Sequence, residues 1–199
     1  MFTSSIFGVI LVYVWILEPL GVPLSLPVTL VGALAAWSTK RLGLTGFSVR
    51  AFLPACRMMT MFTVPAVFVL LALGAILGTL HDRPRFPASL GRLVVWGGAQ
   101  QWVLQTVVLR EVRRVASRQA AIIATALVFA LVHLPNPLLM IVTFVGAVAW
   151  CACFDRYPNV LPLAVSHALG TLAMLYAFND TITGRLRIGA SYLRLVRPS

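Results

Sequence analysis

The sequence predicts an all-α membrane protein, a polytopic bundle of about seven transmembrane helices in one membrane-embedded domain spanning 1–199. Hydrophobic residues make up 60% of the chain and charged residues only 11%, whereas an ordinary soluble domain carries about 25% charged residues. The apolar residues form continuous runs rather than an alternating pattern, which favours transmembrane helices over a β-barrel. Only helices and closed barrels satisfy their backbone groups inside lipid, so these runs are expected to be helical.

Charged residues and helix breakers separate seven apolar segments. They cover about residues 5–20, 26–38, 58–80, 90–112, 119–134, 138–154 and 160–178. A polar connection is predicted at 39–57, and the basic tail after Asn179 is expected to lie at the membrane interface. The first segment has neither a preceding basic region nor a small-residue cleavage site, so we expect it to be kept as a membrane helix.

The net charge of +11 comes from 16 Lys and Arg against 5 Asp and Glu. In a chain this apolar, basic residues in short loops anchor helix ends at anionic headgroups, so membrane lipid is an expected partner. No basic stretch is interleaved with aromatic residues, and no nucleic-acid partner is expected. The three cysteines, Cys56, Cys151 and Cys153, form no CxxC pair and predict neither a disulfide framework nor a zinc site.

Polar side chains inside apolar helices are the first place to look for function. Gln100, Gln101 and Gln105 lie in the fourth segment. Because Gln101 and Gln105 are four residues apart, they are expected on one helix face. Such glutamines either bond to neighbouring helices or line a functional site, and the spacing alone leaves both interpretations open.

Two histidines follow in later segments. His133 ends the fifth segment in FALVHLPNP, with Phe129 one turn before it, and His167 lies well inside the seventh segment in LPLAVSHALGT. Thr171 follows His167 by one turn. Taken singly, each histidine is more typical of a structural role than of catalysis. Glu18 is interpreted as the mark of a helix end, with a buried role as the lesser alternative.

Missing motifs argue against several kinds of active site. HExxH, the signature of zinc metalloproteases, is absent, and so is the GxSxG of serine nucleophiles. Asp82, Asp155 and Asp180 all fall at loop positions, which argues against an intramembrane aspartyl protease. Two histidines without a nearby carboxylate make a poor zinc set, so no metal and no cofactor is expected.

The order and spacing of these polar residues resemble one family. A polar pair in one helix, FxxxH in the next, and a last helix with a histidine and a polar residue four later are similar to the CPBP family, which includes type II CAAX prenyl endopeptidases and abortive-infection-like membrane proteins. The resemblance covers about residues 88–175 and leaves 1–80 as accessory helices. It implies a glutamate-type intramembrane protease, in the bacterial inner membrane, that acts on a membrane-associated protein or peptide.

The chain departs from the family's first motif, EExxxR. By position, Gln100 and Gln101 stand in place of the two glutamates, Gln105 in place of the arginine, and Thr171 in place of the asparagine of the last motif. All of these replacements are neutral. Losing the carboxylates and the arginine together avoids an unpaired buried charge, but it also removes the usual general base.

Two interpretations of this altered site follow. A glutamine amide cannot take a proton from water, but histidine can act as a base. A divergent endopeptidase would therefore use His133 with Gln101 to activate water, and His167 with Thr171 to stabilise the oxyanion. The alternative is an inactive family member that serves as a membrane scaffold, assembly or immunity protein. A transporter or channel is the weakest interpretation, because no broken helix pair or repeat is present.

Overall fold

The computed structural model describes residues 2–42, 45–82 and 86–196, with side chains except at 42 and 86–88. No strand occurs within these ranges, and the all-α prediction is confirmed. The α-helices are α1 (Phe2–Val12), α2 (Ser25–Leu42), α3 (Val49–Ile76), α4 (Phe86–Val103), α5 (Arg110–Arg113), α6 (Arg118–Leu131), α7 (Pro137–Arg156), α8 (Val160–Ala177), α9 (Asp180–Thr183) and α10 (Gly189–Val196). A π-helix, Tyr13–Leu17, extends α1, a second, Leu104–Leu109, joins α4 to α5, and a 3₁₀ turn covers Gly184–Leu186.

Three of the helices in the described ranges, α3, α7 and α8, are long and apolar enough to cross a membrane. Two shorter apolar helices accompany them, α6 and the Phe2–Leu17 helix formed by α1 and its π-helical extension. The seven-span count is not confirmed and stays a prediction.

The polar connection predicted at 39–57 is largely wrong, because helix occupies most of it. α2 continues to Leu42 and α3 already begins at Val49, while residues 43 and 44 lie outside the described part. Arg50 and Arg57 are exposed near the start of α3. Long basic side chains can lie along a helix and still reach a polar interface, so charge at a helix end does not stop the helix.

The basic tail after Asn179 contains α9 and α10 rather than an extended segment. Its last three residues, 197–199, lie outside the described part, and its predicted place at the membrane interface stays a prediction.

The chain divides into two compact units. The first unit consists of Met1–Thr45, Val103–Val148 and Leu186–Ser199, and the second of Gly46–Trp102 and Ala149–Arg185. Each unit is therefore assembled from segments that are distant in sequence. The prediction of one membrane-embedded domain stays a prediction.

In the second unit α3 and α8 pack side by side and run in the same direction. At their starts, the Asn159 side chain caps α8 by accepting from the Leu161 N–H at 3.0 Å and donates to the Ser48 carbonyl, just before α3, at 2.9 Å. At their ends, the Thr79 hydroxyl donates to the Ala177 carbonyl at 2.7 Å. Backbone and cap groups that helices leave unpaired are thus satisfied between the two helices.

Glycine allows α3 to approach α8 closely. A Cβ atom added at Gly74 would lie 2.7 Å from the Cα of Ala177 and still closer to its carbonyl oxygen. Small residues at helix interfaces permit this kind of backbone contact in membrane proteins. The packing of the helix that carries His167 against α3 therefore depends on the absence of a side chain at position 74.

In the first unit Glu111 binds the start of α1. Its two carboxylate oxygens accept hydrogen bonds from the backbone N–H groups of Phe2 at 2.8 Å and Thr3 at 2.9 Å. The first N–H groups of a helix have no partner within the helix and carry a partial positive charge, so a carboxylate there stabilises the helix.

Candidate active site

The second unit brings two of the predicted site residues together. Gln101 lies near the end of α4 and is fully buried, and His167 lies in the middle of α8. The amide nitrogen Nε2 of Gln101 is 3.2 Å from Nδ1 of the His167 ring. Two residues separated by 66 positions in sequence therefore form a direct hydrogen bond.

The His167 ring is confined on its faces. The Trp150 indole stacks on it with ring centroids 4.8 Å apart and an angle of 8° between the planes. A Cβ atom added at Gly97 of α4 would lie 3.2 Å from Cγ of His167, so α4 passes close to the ring. Packing of this kind fixes the plane of the imidazole before any ligand arrives.

A buried chain of hydrogen bonds supports the stacked indole. The Trp150 Nε1–H donates to Oγ of Ser166 at 2.9 Å, and the Thr63 hydroxyl donates to the same Ser166 oxygen at 2.7 Å. Buried polar groups are costly unless paired, and here each group finds a partner. Trp150, Ser166 and Thr63 are not predicted from the sequence; only Ser166, next to His167, carried a signal that could have pointed to them.

His133 belongs to the first unit, where it follows the end of α6. Its Nδ1 lies 2.7 Å from the Phe129 carbonyl oxygen, and the two rings meet edge to face at 5.0 Å. The Thr143 hydroxyl is 3.5 Å from the same nitrogen. A carbonyl oxygen can only accept, so Nδ1 carries a proton and, in the neutral ring, Nε2 keeps its lone pair. That arrangement leaves His133 with a nitrogen able to act as a base.

The other predicted residues are distributed over both units. Gln105 is fully buried in the π-helix that follows α4, in the first unit. Gln100 and Thr171 are half-buried in the second unit, and Thr171 lies one turn beyond His167 on α8. His167 and Thr171 are therefore on neighbouring turns of one helix.

The two glutamates of the chain lie at helix ends. Glu111 is bound by the first two described amides of α1. Glu18 follows the π-helix that extends α1, as expected for a helix end. Within the described ranges, no group of three or more His, Cys, Asp or Glu side chains lies close enough to hold a metal ion.

A cavity of about 560 Å³ lies between α3 and α8 near their ends. Apolar side chains form most of its wall, and three polar residues stand at one end. It is lined by Val67, Leu71, Leu80, His81, Asp82, Leu169, Leu172, Ala173 and Tyr176. None of the six predicted site residues is among them, so this cavity is a feature separate from the contact between Gln101 and His167.

Residues 82–173 match the family model described as type II CAAX prenyl endopeptidase Rce1-like. Over this segment, which is less than half of the chain, the protein is similar to the CPBP family. The matched range contains all six predicted site residues and lies close to the predicted limits of 88–175. None of the curated proteins and none of the solved structures compared with the chain matches it. The family match and the apolar helices together identify an integral membrane protein.

The segment that matches the family model has a first motif without charge. Gln101 donates a hydrogen bond to His167, which a glutamate carboxylate at the same position could not do. The matched family is a protease family.

Proposed function

We propose that the protein is a divergent CPBP-type intramembrane endopeptidase, which hydrolyses a peptide bond in a membrane-associated protein or peptide. The observation that carries the proposal is the bond of Gln101 to His167, two motif residues that pair inside a segment matching a protease family. A polar pair buried in membrane helices is costly, and such pairs commonly serve function.

In this proposal His133 is the general base. Its Nδ1–H is held by the Phe129 carbonyl, so Nε2 can take a proton from water. Gln101 orients that water through its amide oxygen, as a glutamine does for the attacking water in some GTPases. The order of the family's motifs supports the proposal that Gln101 and His133 contact the same water molecule.

His167 and Thr171 would stabilise the oxyanion. The water oxygen bonds to the peptide carbonyl carbon, its proton passes to His133, and negative charge moves to the carbonyl oxygen. When the C–N bond breaks, His133 returns the proton to the leaving nitrogen. Hydrogen-bond donors fixed in advance at the oxyanion typically contribute about 10²–10³-fold to the rate.

Membrane lipid is the second proposed partner. The cavity between α3 and α8 has apolar walls formed by two helices long enough to cross a membrane, and its polar end carries His81, Asp82 and Tyr176. A lipid acyl chain fits such a wall, with its headgroup at the polar end. The proposed location is the bacterial inner membrane, with several crossings.

The test is cleavage by the purified protein in lipid nanodiscs, with membrane peptides as substrates and products identified by mass spectrometry. His133→Ala and His167→Ala should each abolish cleavage while yield and helicity are kept, and Thr171→Ala should reduce it by about 10²-fold. Cleavage that persists at the wild-type rate in the double histidine variant would show that the activity belongs to a contaminant.

A second candidate is a non-catalytic scaffold of the same fold. The tight packing of His167 between Trp150 and α4 favours it, because such a histidine can serve as a core residue. A scaffold should tolerate at least one of the two histidine-to-alanine changes in a cellular assay of its role, whereas an enzyme should tolerate neither.

A further inference from the structure

The contact between Gln101 and His167 has a direction. The atom of Gln101 nearest to His167 is the amide nitrogen Nε2, and an amide nitrogen only donates. The ring nitrogen Nδ1 must then accept with its lone pair. A neutral imidazole has one proton, so that proton lies on Nε2.

We infer that Gln101 is a positioning residue that fixes His167 in the tautomer with the proton on Nε2, making His167 a permanent hydrogen-bond donor. The role of this tautomer in catalysis rests on the proposed function. An oxyanion is stabilised by an N–H group and not by a lone pair, so His167 must carry its proton on the nitrogen that faces the oxyanion. The tautomer itself follows from the contact and from the orientation of the Gln101 amide, whose nitrogen faces the ring.

A carboxylate at position 101 would have the opposite effect. Glutamate can only accept, so it would draw a proton to Nδ1 and leave the lone pair on Nε2, or bind a doubly protonated ring. Glutamine in place of glutamate therefore does more than delete a base. It also exchanges the donor and acceptor nitrogens of the His167 ring.

The second histidine is held in the reverse state. The Nδ1–H of His133 donates to the Phe129 carbonyl, which leaves Nε2 of that ring as the acceptor. The Nδ1 atoms of the two rings thus face opposite kinds of group: a carbonyl at 2.7 Å for His133 and an amide N–H at 3.2 Å for His167. The two histidines present a lone pair and a donor respectively, which is the division of roles that the proposed reaction needs.

Packing keeps the His167 ring in the orientation that this bond requires. The parallel Trp150 indole covers one face, and α4 lies against the ring at Gly97, one turn before Gln101. In metal-binding histidines, a fixed hydrogen-bond partner on one ring nitrogen determines which of the two nitrogens carries the proton. Gln101 has the same effect on Nδ1 of His167.

Nitrogen-15 NMR of histidine-labelled protein in lipid bilayers tests the inference. The chain has only three histidines, so His81→Asn and His133→Asn spectra assign the His167 signals. At a pH where the rings are neutral, His167 should show an unprotonated Nδ1 and a protonated Nε2. A protonated Nδ1 in the wild-type protein would overturn the inference directly, without any variant.

Substitution at position 101 provides the second arm. Gln101→Glu should protonate Nδ1, whereas Gln100→Glu, the same change at the neighbouring half-buried position, should leave the His167 signals unchanged. Gln101→Met removes the donor without adding charge, and a mixture of tautomers is expected. An unchanged His167 spectrum in both Gln101 variants would contradict the positioning role.

The outcomes separate this inference from the proposed function. The expected tautomer in a protein that cleaves nothing would exclude the endopeptidase and leave the positioning role of Gln101 standing. If the protein cleaves its substrate while His167 carries its proton on Nδ1, the positioning role of Gln101 is excluded and the endopeptidase function is kept.

Discussion

The imidazole of His167 lies parallel to the indole of Trp150, 4.8 Å from it between ring centroids. The indole is itself buried and is fixed through its N–H to Ser166. The stack thus connects a predicted site residue with a polar network that reaches α3 through Thr63. His167 is held by a framework, and this framework can be tested separately from catalysis.

Trp150→Leu should destabilise the protein by about 1–3 kcal/mol, because it removes both ring stacking and one buried hydrogen bond. Trp150→Phe keeps an aromatic ring and should cost less. Thermal unfolding in one detergent measures both variants against the wild-type protein. Equal stability of the leucine variant and the wild type would show that the stack contributes nothing to the fold.

Gln101→Glu should lower the thermal midpoint, at a cost of about 1–3 kcal/mol. The side chain is fully buried, its donor to His167 would be lost, and position 105 holds a glutamine where the family's arginine would pair with it. Gln100→Glu, at a half-buried position, is the matched control and should change the midpoint less. An unchanged thermal midpoint in Gln101→Glu would contradict the expectation that an unpaired carboxylate at position 101 destabilises the protein.

Gly97→Ala should disturb His167 directly. The new methyl group would lie 3.2 Å from Cγ of the ring, and such overpacking costs about 1–3 kcal/mol, partly offset by the better helix propensity of alanine. Gly91→Ala on the same helix has nothing within 4 Å and should be neutral or slightly stabilising. Thermal unfolding and the His167 NMR signals compare the two, and identical effects would contradict close contact at position 97.

Stability in acid should depend on Glu111. Burial raises the pKa of its carboxyl, but hydrogen bonds from Thr3 and Phe2 lower that pKa by more, so it lies below its ordinary value of about 4.3. A lowered pKa in the folded state stabilises the protein above about pH 4.3, and this contribution is lost as the pH falls through the folded-state pKa.

Glu111→Gln should therefore lower the thermal midpoint at pH 7, and the difference from wild type should shrink below about pH 4. Asp180→Asn removes a carboxylate paired on the surface with Arg185 at 3.3 Å and serves as the control, with little effect expected. A difference between Glu111→Gln and wild type that is constant from pH 3 to 7 would exclude the carboxylate as the cause.

The sequence was most informative where polar residues interrupt apolar runs. Gln101 and His167 stand out for this reason, and the two side chains are in contact. The start of α3 was missed, since arginines at 50 and 57 suggested a loop while the helix carries them as exposed side chains. Charged residues therefore indicate where a helix leaves the apolar part of the membrane. They are a poorer indication of where the helix itself begins or ends.

The framework that holds the His167 ring could not be predicted from the sequence. Trp150 and Thr63 lie in apolar helices without a local pattern that distinguishes them from other core residues. Their role arises from contacts between distant segments, α3, α7 and α8. The Phe129 carbonyl that orients His133 is likewise a backbone group, and side-chain motifs carry no direct sign of it.

The shared direction of α3 and α8 constrains how the polypeptide threads the bilayer. With both helices across the membrane, Ser48 and Asn159 mark the same side and Thr79 and Ala177 the opposite side. The chain leaves α3 on one side and must enter α8 from the other, so the stretch between them traverses the bilayer an odd number of times. Since α7 is long and apolar enough for one of these crossings, the other segments between α3 and α8 would then cross an even number of times in total.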